Sequence, residues 1–361
     1  MINMRLLAVL SAIISVSYSF AVNYTVKGNV SGMDGKMLYM HDYDRKVNID
    51  STYVKNGSFE FKGVYDRPAF VRVGNEDMFS NCVLDTLAVV DFDTNLPSSG
   101  SYLNKKLIEM MEDEKAIQDE LHLFAKELKS HGFEQPELGD IYQRLFMKMR
   151  PKIIKLYADR SETEANGVGE AAVMSLGGMY GLAPEEWDSV YSRMPSYLKE
   201  RKTTTYFNNM FDNKRKSQPG KPFIDLKAKT IAGKEAMLSD YVGTGKYVLV
   251  DFWASWCGPC RKEAESTLKP LYEKYKSDDR FLILGVATWD NPDNTLKALE
   301  KLQYPWSQLI DAGQEPMRLY GFDGIPMIFL FGPDGIILER DLRGEKLIEA
   351  VDSYLSDKSR L

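Results

Sequence analysis

The sequence predicts an α/β domain at the C-terminal end, its central sheet covered by helices, preceded by a small antiparallel β-sandwich and a helical connector. Three observations predict this. Residues 246–355 alternate buried-strand runs with helical patterns, residues 101–216 space their apolar side chains by threes and fours, and residues 24–95 read as short alternating runs between turns. The length of 361 residues fits two to three domains at roughly 150 residues each. With 44% hydrophobic and 27% charged residues the chain can bury a sizeable core. A formal charge of −6 excludes a strongly basic, whole-chain nucleic-acid binder.

The first element is an address. Met1–Arg5 provide a positive start, Leu6–Val16 an apolar run, and Ser17, Ser19 and Ala21 the small residues of a cleavage site. This is the signal-peptide pattern over residues 1–21, with cleavage after Ser19 or Ala21. The apolar run falls short of the ~20 residues that span a bilayer, so an uncleaved anchor is the weaker alternative. No cysteine stands near the cleavage site to take a lipid. Export to the periplasm, where disulfide chemistry matters, is the expected location.

Residues 22–100 form the predicted sandwich. Tyr24, Val26 and Gly28 alternate, as do Met37, Tyr39 and His41, and later Ala69, Val71 and Val73. Asn56-Gly57 predicts a type I′ hairpin turn, because both residues tolerate the positive φ that the turn demands. Cys82 reads as a small buried hydrophobe, not as a redox partner.

Residues 101–218 form the predicted helical connector. Leu103, Leu107, Met110, Ile117, Leu121, Phe124 and Leu128 mark one face of a long helix, interrupted only by Glu114. A second helix is predicted from about Pro136 to Asp159, kinked or broken at Pro151. Asn166-Gly167 marks a turn, and Pro184 and Pro195 open further helices. Lys214-Arg215-Lys216 reads as a solvated helix end, and the Pro/Gly-rich stretch after it places a domain boundary before residue 219.

In residues 219–361, strands are predicted at 246–252 and 281–287 and a hairpin at 327–331 with 336–341. Helices are predicted at 257–275, from Pro292 to Leu302, and at 345–355. Trp256-Cys257-Gly258-Pro259-Cys260 stands where the first strand hands over to its helix. Residues three apart in a first helical turn are near enough for a disulfide after slight adjustment. Pro259 lies in that turn, where a missing N–H is no loss. Cys257, at the helix start, meets unpaired N–H groups that favour a thiolate. Such a thiolate beside a second thiol can attack a disulfide and then be released by its neighbour.

These residues resemble the thioredoxin superfamily. Val250-Asp251-Phe252-Trp253-Ala254-Ser255-Trp256-Cys257-Gly258-Pro259-Cys260 follows the thioredoxin active-site segment, and Gly324-Ile325-Pro326 resembles the segment that carries its cis-proline. Pro219-Gly220-Lys221-Pro222-Phe223, the export signal and Cys260-Arg261-Lys262-Glu263 are more similar to the TlpA/ResA-like branch of exported thiol–disulfide oxidoreductases. The resemblance covers residues 219–355. The first 200 residues are similar to the small β domain and helical linker that precede this module in Gram-negative bacterial proteins.

The resemblance implies a role for each matching residue. Cys257 is the attacking thiolate and Cys260 the resolving thiol, the two forming the redox disulfide. Asp251 is the buried carboxylate that moves the resolving cysteine's proton. Pro326 is cis and packs beside the dithiol, and Ile325 leaves backbone groups for an extended substrate. Trp256 shields the sulfurs, with Gly258 and Pro259 completing the substrate-facing turn. No metal or organic cofactor is implied. Disulfide-containing envelope proteins are the implied substrates and a membrane thiol reductase the implied electron donor. The Gly-Pro dipeptide and Ile325 resemble the reducing members. One departure concerns shape: the family carries proline five residues after the second cysteine, where Glu265 stands here, which puts the helix kink in doubt.

Other readings are weaker. A zinc site lacks further ligands, since the CxxC has no second CxxC or spaced His pair, and His41, His122 and His131 fit no ligand spacing. A peroxiredoxin-type peroxidase needs a hydroxyl three residues before its cysteine, where Ala254 stands. A partner-binding module using the thioredoxin-like domain as a platform, and a disulfide isomerase, remain the rival functions.

Overall fold

The computed structural model describes residues 21–132, 137–178 and 182–356, with residues 137–140 known by their backbone alone. The leader predicted at 1–21 lies, apart from Ala21, outside the described residues. Those described form two compact units: residues up to 178 with 193–203, and residues 182–192 with 204–356. Among the described residues no helix is long and apolar enough to cross a membrane.

The first unit opens with strands β1 (Val22–Asn29), β2 (Met37–Asp42), β3 (Val47–Tyr53), β4 (Ser58–Tyr65), β5 (Phe70–Gly74), β6 (Phe79–Val83), β7 (Ala88–Asp91) and β8 (Leu96–Gly100). They form two four-stranded sheets, ordered β4-β1-β7-β8 and β3-β2-β5-β6. Tyr24, Val26, Phe59 and Phe61 of one sheet share a core with Leu38, Met40, Val71 and Val73 of the other. Period-2 alternation puts these side chains on the inner faces, as a sandwich requires. Cys82 is fully buried in this core, and burial pushes its thiol up to about 12.

The Asn56-Gly57 turn forms as its chemistry dictates, with φ of 51° and 68° and reciprocal backbone hydrogen bonds between Lys55 and Ser58. The strands it joins then separate. β3 pairs with β2 and β4 with β1, so the turn passes the chain from one sheet to the other instead of making a long hairpin. Phe59 and Phe61 on β4 are buried, whereas β3 has no fully buried residue, and that asymmetry drives the two strands apart.

Helices α1 (Tyr102–Ser130), α2 (Glu137–Thr163) and α3 (Gly167–Gly178) follow. The α1 stripe buries Leu107, Met110 and Leu121, while Phe124 is exposed. Glu114, the interruption in that stripe, is buried and accepts hydrogen bonds from Tyr157 of α2 and from Gln118. Pro151 lies inside α2 and does not break it. Met149, Ile153 and Tyr157 are buried on either side, so packing holds the turn that the proline weakens. Glu170 of α3 reaches the buried Arg67, which also pairs with Asp42 at 3.0 Å and Asp44 at 3.4 Å.

The helices of the 101–218 segment are shared between the units. α4 (Pro184–Arg193) falls almost wholly in the second, α5 (Ser196–Lys199) in the first, and α6 (Lys202–Lys216) from Thr204 onward in the second. Pro184 and Pro195 stand at the helix starts their backbone favours. Gly321 explains the place of α6. A Cβ there would meet Lys214 N at 2.2 Å and Met210 O at 2.4 Å, so only glycine lets that backbone come so close.

The second unit continues with β9 (Lys227–Thr230), β10 (Glu235–Met237), β11 (Tyr247–Trp253), α7 (Gly258–Glu263), α8 (Lys269–Tyr275), β12 (Phe281–Ala287) and α9 (Pro292–Leu302). It closes with β13 (Ser307–Ile310), α10 (Glu315–Tyr320), β14 (Met327–Phe331), β15 (Ile337–Arg340) and α11 (Gly344–Ser356). One seven-stranded sheet results, ordered β10-β9-β13-β12-β11-β14-β15. β11 lies at its heart, parallel to β12 and antiparallel to β14, with all seven residues buried. Val248, Val250 and Phe252 face a core with Tyr320 and Phe329, while Tyr247 and Leu249 face Leu268, Leu271, Leu347 and Val351. This is the helix-covered sheet that the alternation of elements predicts, in the thioredoxin form that the resemblance implies, with added strands at its edge.

Between α7 and α8 the chain makes a π turn over Ala264–Leu268, in which Lys269 N–H reaches back five residues to Ala264 O. The helix is thus irregular even though Glu265 replaces the family proline. Pro270, one residue further on, supplies the cause: it lacks a donor and its ring crowds the carbonyl four residues back.

Candidate active site

β11 delivers Asp251 and Trp253 to one face of the sheet and then ends, so that the chain turns into α7 with Cys257 as its N-cap. Cys257 and Cys260 are joined by a disulfide, their Cα atoms 5.3 Å apart. The Cys260 N–H points at Cys257 Sγ from 3.1 Å. That is an orphan helix N–H spent on sulfur, an arrangement that stabilises a thiolate once the disulfide is reduced. Pro259 occupies the first turn without loss of a hydrogen bond, and Gly258 has no atom within 4 Å of where a Cβ would stand.

Ile325–Pro326 is a cis peptide bond, and the Ile325 carbonyl oxygen lies 3.7 Å from Cys257 Sγ. Both cysteines are buried, at 3% and 1% exposure, among Trp253, Ala254, Ala287 and Ile310. Trp256 is 52% exposed. Its indole packs edge-on against Trp289, ring centres 5.2 Å apart, and its Nε1–H donates to the Trp289 carbonyl at 3.0 Å.

Asp251 is fully buried on β11, and its Oδ1 has no hydrogen-bond partner among the described residues. Loss of water raises its pKa from 3.8 to about 7; Arg343 opposes the rise and Glu263 adds to it. A carboxyl at that value both takes up and releases a proton near neutrality. The structure therefore gathers Cys257, Cys260, Trp256, Gly258 and Pro259 where β11 hands over to α7, with the Ile325–Pro326 peptide against Cys257 and Asp251 six residues earlier on β11.

Several contributors escape a reading of the sequence. Asp290 accepts from Ser255 N at 2.6 Å, Ser255 Oγ at 3.0 Å and Thr295 Oγ1 at 2.8 Å, and so holds the loop that presents Trp256 and Cys257. Trp289, 46% exposed and in the left-handed region at φ 54°, adds a second aromatic ring beside Trp256. Glu263, whose sequence position fits a solvated charge as well as a functional acid, is half-buried and accepts from Gly344 N at 2.7 Å, where α11 begins. Among the described residues, no three His, Cys, Asp or Glu side chains gather as metal ligands.

This fold and a dithiol in this position define a thioredoxin-like thiol–disulfide oxidoreductase. Comparison with known proteins agrees. The AhpC/TSA family model matches residues 219–340, and a domain of unknown function, DUF4369, matches residues 24–106. Thiol-disulfide oxidoreductase ResA of Bacillus cereus is 32% identical over 154 residues, 42% of this chain and 84% of the relative. Thiol:disulfide interchange protein CycY of Rhizobium leguminosarum is 36% identical over 102 residues, 28% of this chain and 52% of the relative. Among solved structures, the thioredoxin domain of a Bacteroides vulgatus thiol-disulfide oxidoreductase is 33% identical. It covers 38% of this chain and 96% of its own, with a TM-score of 0.34. The chain belongs to the ResA family of thiol-disulfide oxidoreductases.

Proposed function

We propose that this protein is exported to the periplasm and reduces disulfides of envelope proteins. The observation that carries the reading is the Cys260 N–H aimed at Cys257 Sγ beside the Ile325–Pro326 peptide. In this reading the Cys257 thiolate attacks one sulfur of a client disulfide, forming a mixed disulfide and expelling the other client sulfur as a thiolate, which takes a proton. Asp251, as carboxylate, accepts the Cys260 proton. The Cys260 sulfur then attacks Cys257 Sγ, which closes the internal disulfide and releases the second client thiol. Two electrons have passed to the client, and a membrane thiol reductase returns them. Ile325 and Pro326 border the bound client strand, with Trp256, Gly258 and Pro259 on its other side.

Cys260→Ser protein cannot complete the second attack. It is expected to accumulate clients disulfide-linked to Cys257, visible on non-reducing gels and absent when Cys257 is also replaced. Normal partner binding by the double variant, with no trapped client, points instead to a binding module. The midpoint potential of the couple decides direction: a value near the thioredoxin end at about −270 mV supports reduction, and one near about −120 mV overturns it.

A further inference from the structure

Four buried polar side-chain atoms without a partner among the described residues gather around the Asp251 face of the sheet: Asp251 Oδ1, Gln308 Nε2, Tyr304 OH and Trp306 Nε1. Native interiors satisfy nearly all such atoms, so a group of them at one place points to a purpose. The strand register supplies the arrangement. Asp251 on β11 is aligned with Gly285 on β12, and Gly285 with Gln308 on β13. Aligned residues of neighbouring strands point to the same side. Gly285 has no side chain to fill the space between carboxylate and carboxamide, and Gln308 occupies it. A Cβ at Gly285 would meet Gln308 Oε1 at 2.1 Å and Nε2 at 2.6 Å.

The orientation of that carboxamide follows from its other neighbour. Trp253 Nε1–H, which is only a donor, gives its hydrogen bond to Gln308 Oε1 at 3.0 Å. Nε2 is left as an unspent donor above Gly285. Asp251, with its unspent acceptor, stands one strand away, a spacing of about 4.8 Å. The other ionisable groups around Asp251 are Glu263 from α7, Arg343 just before α11 and the Tyr304 hydroxyl from the segment ahead of β13. A neutral carboxyl in this place tolerates an empty Oδ1. An ionised one needs a donor, and the carboxamide anchored by Trp253 is the one the sheet provides.

We propose that Gln308 is a positioning residue for the Asp251 proton, its Nε2 donating to the carboxylate whenever Asp251 is ionised. A hydrogen bond made only to the ionised form favours that form. Gln308 therefore offsets part of the rise that burial imposes and lets the buried acid release its proton. The effect on turnover rests on the proton-shuttle reading of Asp251 above; the effect on ionisation does not.

The test is side-chain NMR on the oxidised full-length protein. In the unaltered protein the Gln308 side-chain NH2 signal is expected to move with pH at the Asp251 midpoint, and to stop moving in Asp251→Asn. In Gln308→Met, which keeps the volume and loses the donor, the Asp251 midpoint is expected to rise by about one pH unit, a tenfold change in its ionisation constant. A Gln308 amide indifferent to Asp251, or a folded Met variant whose Asp251 midpoint stays put or falls, overturns the proposal. The wild-type titration decides alone if the Met variant does not fold. The pH profile of Cys260 attack on a Cys257 mixed disulfide separates the two readings. A shifted Asp251 midpoint with an unshifted profile leaves Gln308 in place and removes Asp251 from the proton path.

Discussion

Asp251→Asn is expected to stabilise the C-terminal unit increasingly as pH rises. The native carboxyl titrates at about 7 because burial strips it of water, against 3.8 when solvated. Below about pH 4 both folded and unfolded chains carry it protonated, and the substitution changes nothing through this route. Between about pH 4 and 7 the unfolded chain is ionised while the native one holds its proton, so stability falls as pH rises. Roughly three pH units at about 1.36 kcal/mol each give an upper limit near 4 kcal/mol, reached above pH 7. Asparagine has no such slope. All five tryptophans, Trp187, Trp253, Trp256, Trp289 and Trp306, lie in the C-terminal unit, so intrinsic fluorescence follows its unfolding selectively. Urea unfolding of both oxidised proteins at pH 4 and pH 9 reads the difference of differences, which removes any pH-independent effect of the amide. Parallel pH profiles for the two proteins would refute the argument that Asp251 is held neutral by burial.

Two further outcomes concern architecture. Gly321→Ala, at φ 61° and against the α6 backbone, is expected to destabilise the C-terminal unit by at least about 1–3 kcal/mol from left-handed strain alone, read by the same fluorescence. Arg67→Met leaves Asp42, Asp44 and Glu170 buried without their cation and is expected to cost about 3–5 kcal/mol, read by hydrogen exchange of the sandwich strands.

What could be read in the sequence divides along a physical line. The dithiol was legible because its chemistry is written within four consecutive residues, and Asp251 because a carboxylate inside an apolar strand run stands out. Turn chemistry was equally local: Asn56-Gly57 turns as expected. Which strands that turn unites was not local, because burial of Phe59 and Phe61 settles it at the level of the two sheets. Glu114 broke a stripe on paper, but its partner Tyr157 lies 43 residues away. Pro151 was expected to kink or break α2, and with packing on both sides the helix runs through it unbroken. The row from Asp251 through Gly285 to Gln308 needs the register of three strands, and β13 is too short, at four residues, to announce itself by alternation.

The close seat of α6 on Gly321 also sets where this catalytic unit can be cut. Ser217 Oγ donates to the Tyr320 carbonyl at 2.7 Å, and Arg340 Nη1 donates to Ser217 Oγ at 2.7 Å. A fragment starting at residue 219, where the family likeness begins, would discard α6 and Ser217 while keeping Tyr320, Gly321 and Arg340. It would leave the Arg340 guanidinium without the Lys214 and Ser217 oxygens to which it donates in the whole chain. The excisable piece is therefore longer than homology alone marks out: it begins near residue 182, so that α4, whose Trp187 stacks on Phe211, goes with α6.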